Sequence, residues 1–390
     1  MARVREVIDK LGQKHQYNEG MEGVIATSSE ICFIDGEKGK LIYRGIPIEE
    51  LAEHSTFEET SYFLLYGELP TKKELSDFED RLKSSRALPD NILASMKTLP
   101  AKANTMQYLR TVVSMLGLNE DKSENTTIGK TSREAESLIA VFPTIVAAIQ
   151  RLRNGLEPIA PDASLSHAAN FLYMINGEKP DEFSARVLDI CLILHAEHGF
   201  NASTFAARVV ISTLTDMYSA ITAAVGSLRG PLHGGANEGV MHLLNEIGTI
   251  DAVEEVIKVK LDTKAKIMGF GHRVYKVLDP RARILSQYSE RLAQITGNES
   301  YYKMSKKIED IMEDQVGDRG IYPNVDFFSA SVYYYLGFHL EIYTPIFAVS
   351  RISGWTAHVM EQLRENRLFR PRSVYLGDHA AKYVPIDERK

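Results

Sequence analysis

Gly230-Pro231-Leu232-His233-Gly234-Gly235-Ala236-Asn237, Gly269-Phe270-Gly271-His272-Arg273 and Pro323-Asn324-Val325-Asp326 each set one proton-exchanging side chain in a turn punctuated by glycine or proline. Two imidazoles and one carboxylate can remove, hold and return protons near neutral pH. Glycine neighbours let a substrate or another backbone approach closely. The three stretches together outline an acid/base active site.

Outward from these stretches the pattern is mostly helical. Ile31 to Ile34 and Leu41 to Tyr43 flank Asp35-Gly36 and read as a β-hairpin near the N-terminus. Thr71-Lys72-Lys73-Glu74 and Thr131-Ser132-Arg133-Glu134 read as capping boxes. The second opens an apolar stripe through Leu138, Val141, Ile145 and Leu152 that Gly155 ends, with Pro143 expected to kink it. Helices are further expected over Asp181 to His195, from an Asn201 cap with Phe205 and Val209 inward, and from an Asp216 cap up to Gly230-Pro231. More follow over Asn237 to Ile247, Asp251 to Leu261 and Glu299 to Val316, from Asp326 to Tyr335, and from Thr344-Pro345 with Val349, Ile352, Val359 and Leu363 inward. The polar stretch from Asn119 to Lys130 reads as a surface loop, and no repeat of 20 to 50 residues suggests a solenoid.

With 390 residues and 44% hydrophobic content the chain can bury one large core or two smaller ones. Its continuous apolar runs, such as Ile145 to Ile149, fall far short of the roughly 20 residues that cross a bilayer, so no membrane span is expected. Forty-five basic against fifty-two acidic residues give a formal charge of -7, which argues against nucleic acid as a partner. An anionic ligand would have to be met by locally placed arginines. Cys32 and Cys191 lack CxxC spacing and sit among apolar residues, so buried free thiols in a reducing compartment are expected. The N-terminus has no continuous apolar segment and the C-terminus matches no retention or peroxisomal address, which points to the cytoplasm.

In this order the three stretches resemble the catalytic segments of the citrate synthase family. Asp279-Pro280-Arg281, Val349-Ser350-Arg351 and Arg370-Pro371-Arg372-Ser373 extend the likeness, which runs from about Gly36 to about Gly377. The resemblance implies a mainly α, two-domain fold. Residues 1–229 and 331–390 would form a large helical domain carrying the minor N-terminal hairpin, and residues 230–330 an inserted small helical domain. It also implies condensation of acetyl-CoA with oxaloacetate and hydrolysis of citryl-CoA, with the coenzyme A thioester as substrate and no metal or redox cofactor. The expected assembly is a homodimer that donates Arg370 across its interface.

On the residues themselves, Asp326 begins a helix beside Val325, Phe327 and Phe328, whose apolar surroundings would raise its pKa and make it a better base. The plainer reading is a helix-capping aspartate. His233 stands before the helix of Asn237 to Ile247, whose positive end disfavours an imidazolium. By resemblance, His233 donates to the thioester oxygen, Asp326 removes the methyl proton and His272 protonates the ketone. The same resemblance gives His198, Arg281, Arg351 and Arg370 to the dicarboxylate, for which arginine's fork suits better than lysine. The main chain of Ile267, Met268, Gly269, Phe270 and Gly271 would cradle the adenine, with Arg273 and Lys276 near the coenzyme A phosphates. Without a preceding strand, this Gly-x-Gly is no dinucleotide fingerprint. His195, Glu197 and His198 have the look of a metal cluster but no third ligand of suitable spacing, and the resemblance implies that His195 is a packing residue. Arg351 shares a helix face with Trp355 and His358, whereas Arg364 and Arg367 read as solvated ion pairs. Alternatives are a 2-methylcitrate synthase using propionyl-CoA, a CoA-thioester hydrolase and a non-catalytic helical scaffold.

Overall fold

A computed structural model describes residues 3–119 and 128–389, which form two short β-sheets and sixteen α-helices. The chain divides into two units, Met1–Ser29 with Leu368–Lys390, and Glu30–Arg367. In the first, β1 (Val4–Ile8) pairs antiparallel with β2 (Lys14–Asn18) from Val4↔Asn18 to Ile8↔Lys14. Asp9 closes the turn by accepting from the Leu11 and Gln13 amides. This hairpin is absent from the sequence reading because its strands are largely polar and exposed, so no buried face imprints alternation on them.

The second unit opens with the expected hairpin. β3 (Cys32–Asp35) and β4 (Lys40–Tyr43) pair antiparallel, and β5 (Ile46–Pro47) adds to β4. The helices then run α1 (Ile48–His54), α2 (Phe57–Tyr66), α3 (Lys72–Ser84), α4 (Asp90–Thr98), α5 (Thr105–Leu116), α6 (Ile128–Arg153), α7 (His167–Asn176) and α8 (Glu182–His195). After these come α9 (Ala202–Ile211), α10 (Met217–Leu228), α11 (Ala236–Ile247), α12 (Val253–Asp262), α13 (Pro280–Thr296), α14 (Ser300–Val316), α15 (Val325–Tyr335) and α16 (Tyr343–Arg364). The chain is mainly α, as its pattern indicates.

Caps explain most of the helix starts. Thr71 and Glu74 form the reciprocal capping box of α3, and Asp181, Asn201 and Asp216 accept amides at the starts of α8, α9 and α10. Thr131 does not start a helix, because α6 is already running at Ile128 and Thr131 is buried within it. The loop expected over Asn119 to Lys130 falls largely on residues 120–127, which lie outside the described residues, and its last three residues are helical. α6 continues through Pro143 and ends two residues before Gly155. In α9 the inward face is Ser203, Thr204, Ala207, Arg208 and Ile211, while Phe205 and Val209 are only half-buried.

One correction concerns membrane spans. Gly129–Arg153 is long and apolar enough to cross a bilayer by length and composition, although no single apolar run in it is long. Its apolar window is 83% buried within the protein, as suits a core helix. The core centres on α16, which packs on α2, α6, α8, α9 and α10. Ile346, Val349, Ile352, Trp355 and Val359 bury one side of α16 and Ser350, Arg351, Gly354 and His358 the other, so almost none of its length meets solvent. A helix so enclosed is a rigid frame for the polar residues it also carries.

Candidate active site

α15 starts from Asn324, whose Oδ1 accepts the Asp326 amide at 3.0 Å. Asn324 therefore caps the helix, and the plainer reading of Asp326 as the cap does not hold. The Asp326 carboxylate accepts no hydrogen bond among the described residues and stands half-buried between Val325 and Phe327. Burial pushes its pKa up to about 6, against the Arg281 and Arg351 cations, which pull it down, while Asp279 pushes it further up.

The stretch before Asp326 is stitched to the loop before His272. Gly271 donates to Tyr322 O at 2.9 Å, and the Asn324 amide donates to Gly269 O at 2.9 Å. Asn324 Nδ2 also donates to Gly271 O at 3.0 Å, and Phe270 bridges Pro323. Gly269 has φ +82°, and a Cβ there would stand 2.6 Å from Val240 Cγ2 and 2.8 Å from Phe327 Cδ2. Only glycine suits that backbone and that contact. Thus Gly269 and Gly271 spend main-chain groups on holding Asp326 and His272 together. Ile267 and Phe270 are buried and Met268 is half-buried.

The histidine tautomers follow from backbone donors. His272 Nδ1 accepts from the Val274 and Tyr275 amides at 3.0 and 3.2 Å, so the neutral ring carries its proton on Nε2. His233 Nε2 accepts from the Ser203 amide at 3.3 Å, so its proton sits on Nδ1. Ser203 Oγ lies 2.8 Å from the same Nε2 and accepts from Trp355 Nε1 at 3.0 Å. Both rings are held neutral, with pKa lowered to about 4. For His233 burial is the main cause, followed by Arg351 and Arg273; for His272 it is burial followed by Arg281. The sequence reading assigned the effect at His233 to a helix end, whereas burial and two cations account for it here.

His198 extends the cluster. Its ring centroid lies 5.1 Å from that of His272, and its Nε2 meets Tyr275 OH at 3.3 Å. Burial, then Arg281 and His272, hold its pKa well below the usual imidazole value. His195 is committed to packing: Nδ1 donates to Cys191 O at 2.8 Å and the ring lies edge-on to Phe347. With Glu197 bonded to His358, the His195, Glu197 and His198 side chains do not converge as metal ligands. Cys32 and Cys191 are free thiols, the second fully buried and the first half-buried.

Two arginines are buried here, each 2% exposed. Arg281 is gripped by Asp279, Nε to Oδ1 at 3.0 Å and Nη2 to Oδ2 at 2.7 Å, in the Asp-Pro start of α13. That Asp279 partner raises the pKa of Arg281 against burial. Arg351 spends only Nε, on His195 O at 2.7 Å, and stacks its guanidinium 4.6 Å from the Phe347 ring centroid. Its terminal nitrogens have no partner among the described residues. Arg273 and Lys276 are exposed and make no ion pair among the described residues. Arg364 and Arg367 are exposed too, without the expected ion pairs among the described residues. Arg370 lies in the other unit, exposed and donating to Pro371 O.

Sequence reasoning missed Ser203, Tyr275 and Asp279 as supports. Asp279-Pro280 carries a legible signal, an N-cap before a first-turn proline. Ser203 and Tyr275 carry none, because their roles depend on chain segments distant in sequence.

A half-buried carboxylate with raised pKa, two neutral imidazoles of opposite tautomer and two buried arginines define an acid/base enzyme for an anionic substrate. The profile of the family described as "Citrate synthase, C-terminal domain" matches residues 20–372. A citrate synthase of Deinococcus radiodurans is 50% identical over 372 residues, covering 95% of this chain and 99% of the relative. A 2-methylcitrate synthase of Shewanella oneidensis is 41% identical, covering 95% of this chain and 97% of the relative. Among solved structures, the ternary complex of carboxymethyl coenzyme A and oxaloacetate with the Thermoplasma acidophilum citrate synthase matches with a TM-score of 0.89 at 37% identity, covering 95% of this chain and 99% of that one. The chain belongs to the citrate synthase family and is an acyltransferase-type enzyme.

Proposed function

We propose that this enzyme condenses acetyl-CoA with oxaloacetate to citryl-CoA and hydrolyses that thioester to citrate and free coenzyme A. The observation that carries this reading is the uncapped Asp326 carboxylate, raised in pKa and stitched to the His272 loop. Asp326 takes a proton from the thioester methyl while His233 Nδ1–H donates to the thioester oxygen, giving an enol equivalent without a free enolate charge. The new nucleophilic carbon adds to the ketone carbon, and the ketone oxygen takes the proton from His272 Nε2. Water then adds to the thioester carbonyl, its released proton restoring His272, and the thiolate is expelled and takes up the proton held by Asp326. Every step is a proton transfer, an addition or the expulsion of the thiolate, and coenzyme A enters as its thioester substrate.

Arg281, Arg351 and His198 hold the keto acid, the arginines through donors that Asp279 and His195 leave over. Arg273 and Lys276 suit the coenzyme A phosphates. Residues 230–330 act as a small domain against 1–229 with 331–390, which fits the Lys276 amide on Gly36 O and the Ser203 amide on His233 as contacts across the cleft. Closure would complete the site around both substrates. A homodimer supplying Arg370 from the second copy is supported by the Met1–Ser29 and Leu368–Lys390 unit. None of its described residues is buried, and Ile8, Leu11, Tyr383 and Ile386 are exposed. Two free thiols fit a cytoplasmic setting.

Acetyl-CoA is preferred over propionyl-CoA because identity is greater to the citrate synthase than to the 2-methylcitrate synthase. The deciding experiment follows thiol release from each acyl-CoA with and without oxaloacetate. Release that requires oxaloacetate and is faster with acetyl-CoA is expected. Release without oxaloacetate would make the protein a thioester hydrolase, and a faster propionyl reaction would reverse the assignment.

A further inference from the structure

We infer that Glu197 is a positioning residue for the keto acid, holding His198 and Arg351 in register through a buried hydrogen-bonded relay that runs from Arg208 through His358. This rests on the keto-acid role proposed for His198 and Arg351.

The segment from His195 to Glu197 lies along one face of α16 and is bonded to it at successive turns. Arg351 Nε donates to His195 O at 2.7 Å, Gly354 N donates to Ala196 O at 3.1 Å, and His358 Nε2 meets Glu197 Oε1 at 3.1 Å. Residues 351, 354 and 358 share a helix face. The first two bonds end on backbone carbonyls and survive any side chain at 197. The third is the one made by a side chain of the segment, directly before His198.

The direction of that bond is fixed. Arg208 can only donate, and its Nη1 lies 3.3 Å from His358 Nδ1, so Nδ1 accepts and Nε2–H points at Glu197. Arg208 is itself anchored, to Glu361 at 2.6 Å and to Gln362 Oε1 at 3.0 Å. Exposures of 3% for Arg208, 1% for His358 and 0% for Glu197 keep the relay out of contact with bulk water. Glu197 Oε2 has no partner among the described residues and lies against Gly354, where a Cβ would collide with it. The backbone of Glu197 is clamped as well, since its amide donates to Tyr43 OH at 3.1 Å and its carbonyl accepts from that hydroxyl at 2.8 Å.

The arrangement differs from the one at Arg281, where Asp279 bonds the guanidinium directly and takes up two of its nitrogens. Glu197 bonds His358 instead and favours the charged form of Arg351 from a distance, against the burial that opposes it. The fork of Arg351 is thereby left open for a carboxylate.

The test uses the full chain and steady-state kinetics for both substrates. Glu197→Ala is expected to raise the oxaloacetate KM at least tenfold and leave the acetyl-CoA KM within twofold. Glu197→Gln keeps an acceptor for His358, so its oxaloacetate KM should stay within threefold of the unmodified enzyme. His358→Asn, too short to reach Glu197, should resemble Glu197→Ala and serves in its place if that variant does not fold. An unchanged oxaloacetate KM in the Ala and Asn variants, an equal rise for both substrates, or a Gln variant no better than Ala would overturn the inference. Oxaloacetate-dependent thiol release by the unmodified enzyme, measured alongside, separates failure of this inference from failure of the proposed reaction.

Discussion

The Ser203 amide donates to His233 Nε2 across 3.3 Å, and so leaves the ring proton on Nδ1, the nitrogen with no partner among the described residues. The serine hydroxyl lies 2.8 Å from the same nitrogen, accepts from Trp355 and donates to Asn201 Oδ1 at 2.7 Å, so Ser203 is itself held in place beneath the ring. In the proposed reaction this contact holds the ring that donates to the thioester oxygen.

Ser203→Ala keeps the amide and loses the hydroxyl, leaving the buried Trp355 N–H without its acceptor. Loss of one such bond is worth about 1–2 kcal/mol, a fall of roughly 5- to 30-fold in kcat. The acetyl-CoA KM should change little. Unaltered kcat would mean that the amide alone holds the ring.

The pH dependence of kcat/KM for acetyl-CoA should show an acid limb with a midpoint near 6. Asp326 must be ionised to act as base, and its pKa is raised to about 6. His233 and His272, lowered to about 4, are already neutral at that point and add no limb there. A limb near 4 would assign the profile to the histidines.

Stability carries the same signature with opposite benefit. A carboxyl whose pKa is raised in the folded state weakens the fold as pH climbs from about 4 to about 6, because the native protein resists ionising it. Asp326→Asn should therefore be more stable than the parent at pH 7.5, by about 1–3 kcal/mol, with the difference gone near pH 4. Thermal unfolding at the two pH values reads this directly, and a destabilised variant at pH 7.5 would contradict the burial argument.

Arg351→Lys should impair the keto acid specifically. A lysine cannot both reach His195 O and present a planar pair of donors, so the oxaloacetate KM should rise by about tenfold or more while the acetyl-CoA KM holds. Equal effects on the two substrates would remove Arg351 from the keto-acid site.

Much of this was legible in the chain itself, for reasons that differ by element. α8, α9 and α10 begin at side chains that cap locally, and such caps are visible in sequence because they act over three residues, whereas at α15 the cap is Asn324 and not the Asp326 that the sequence offered. The false box at Thr131 shows the limit: a correct cap pattern is idle when the helix has started upstream. His233, His272 and Asp326 stood out as lone titratable groups in glycine or proline turns. Their supports did not, because Ser203 meets His233 thirty residues away and Glu197 meets His358 at a separation of 161. The first hairpin escaped notice because exposed strands carry no apolar alternation.

The most direct test of the account is turnover by Asp326→Asn, with oxaloacetate binding measured on the same preparation. The account predicts that thiol release from acetyl-CoA falls by about a thousandfold or more while the oxaloacetate Kd stays within about threefold. Near-normal turnover in that variant would show that another group removes the methyl proton, and the assignment of Asp326 as base would be wrong.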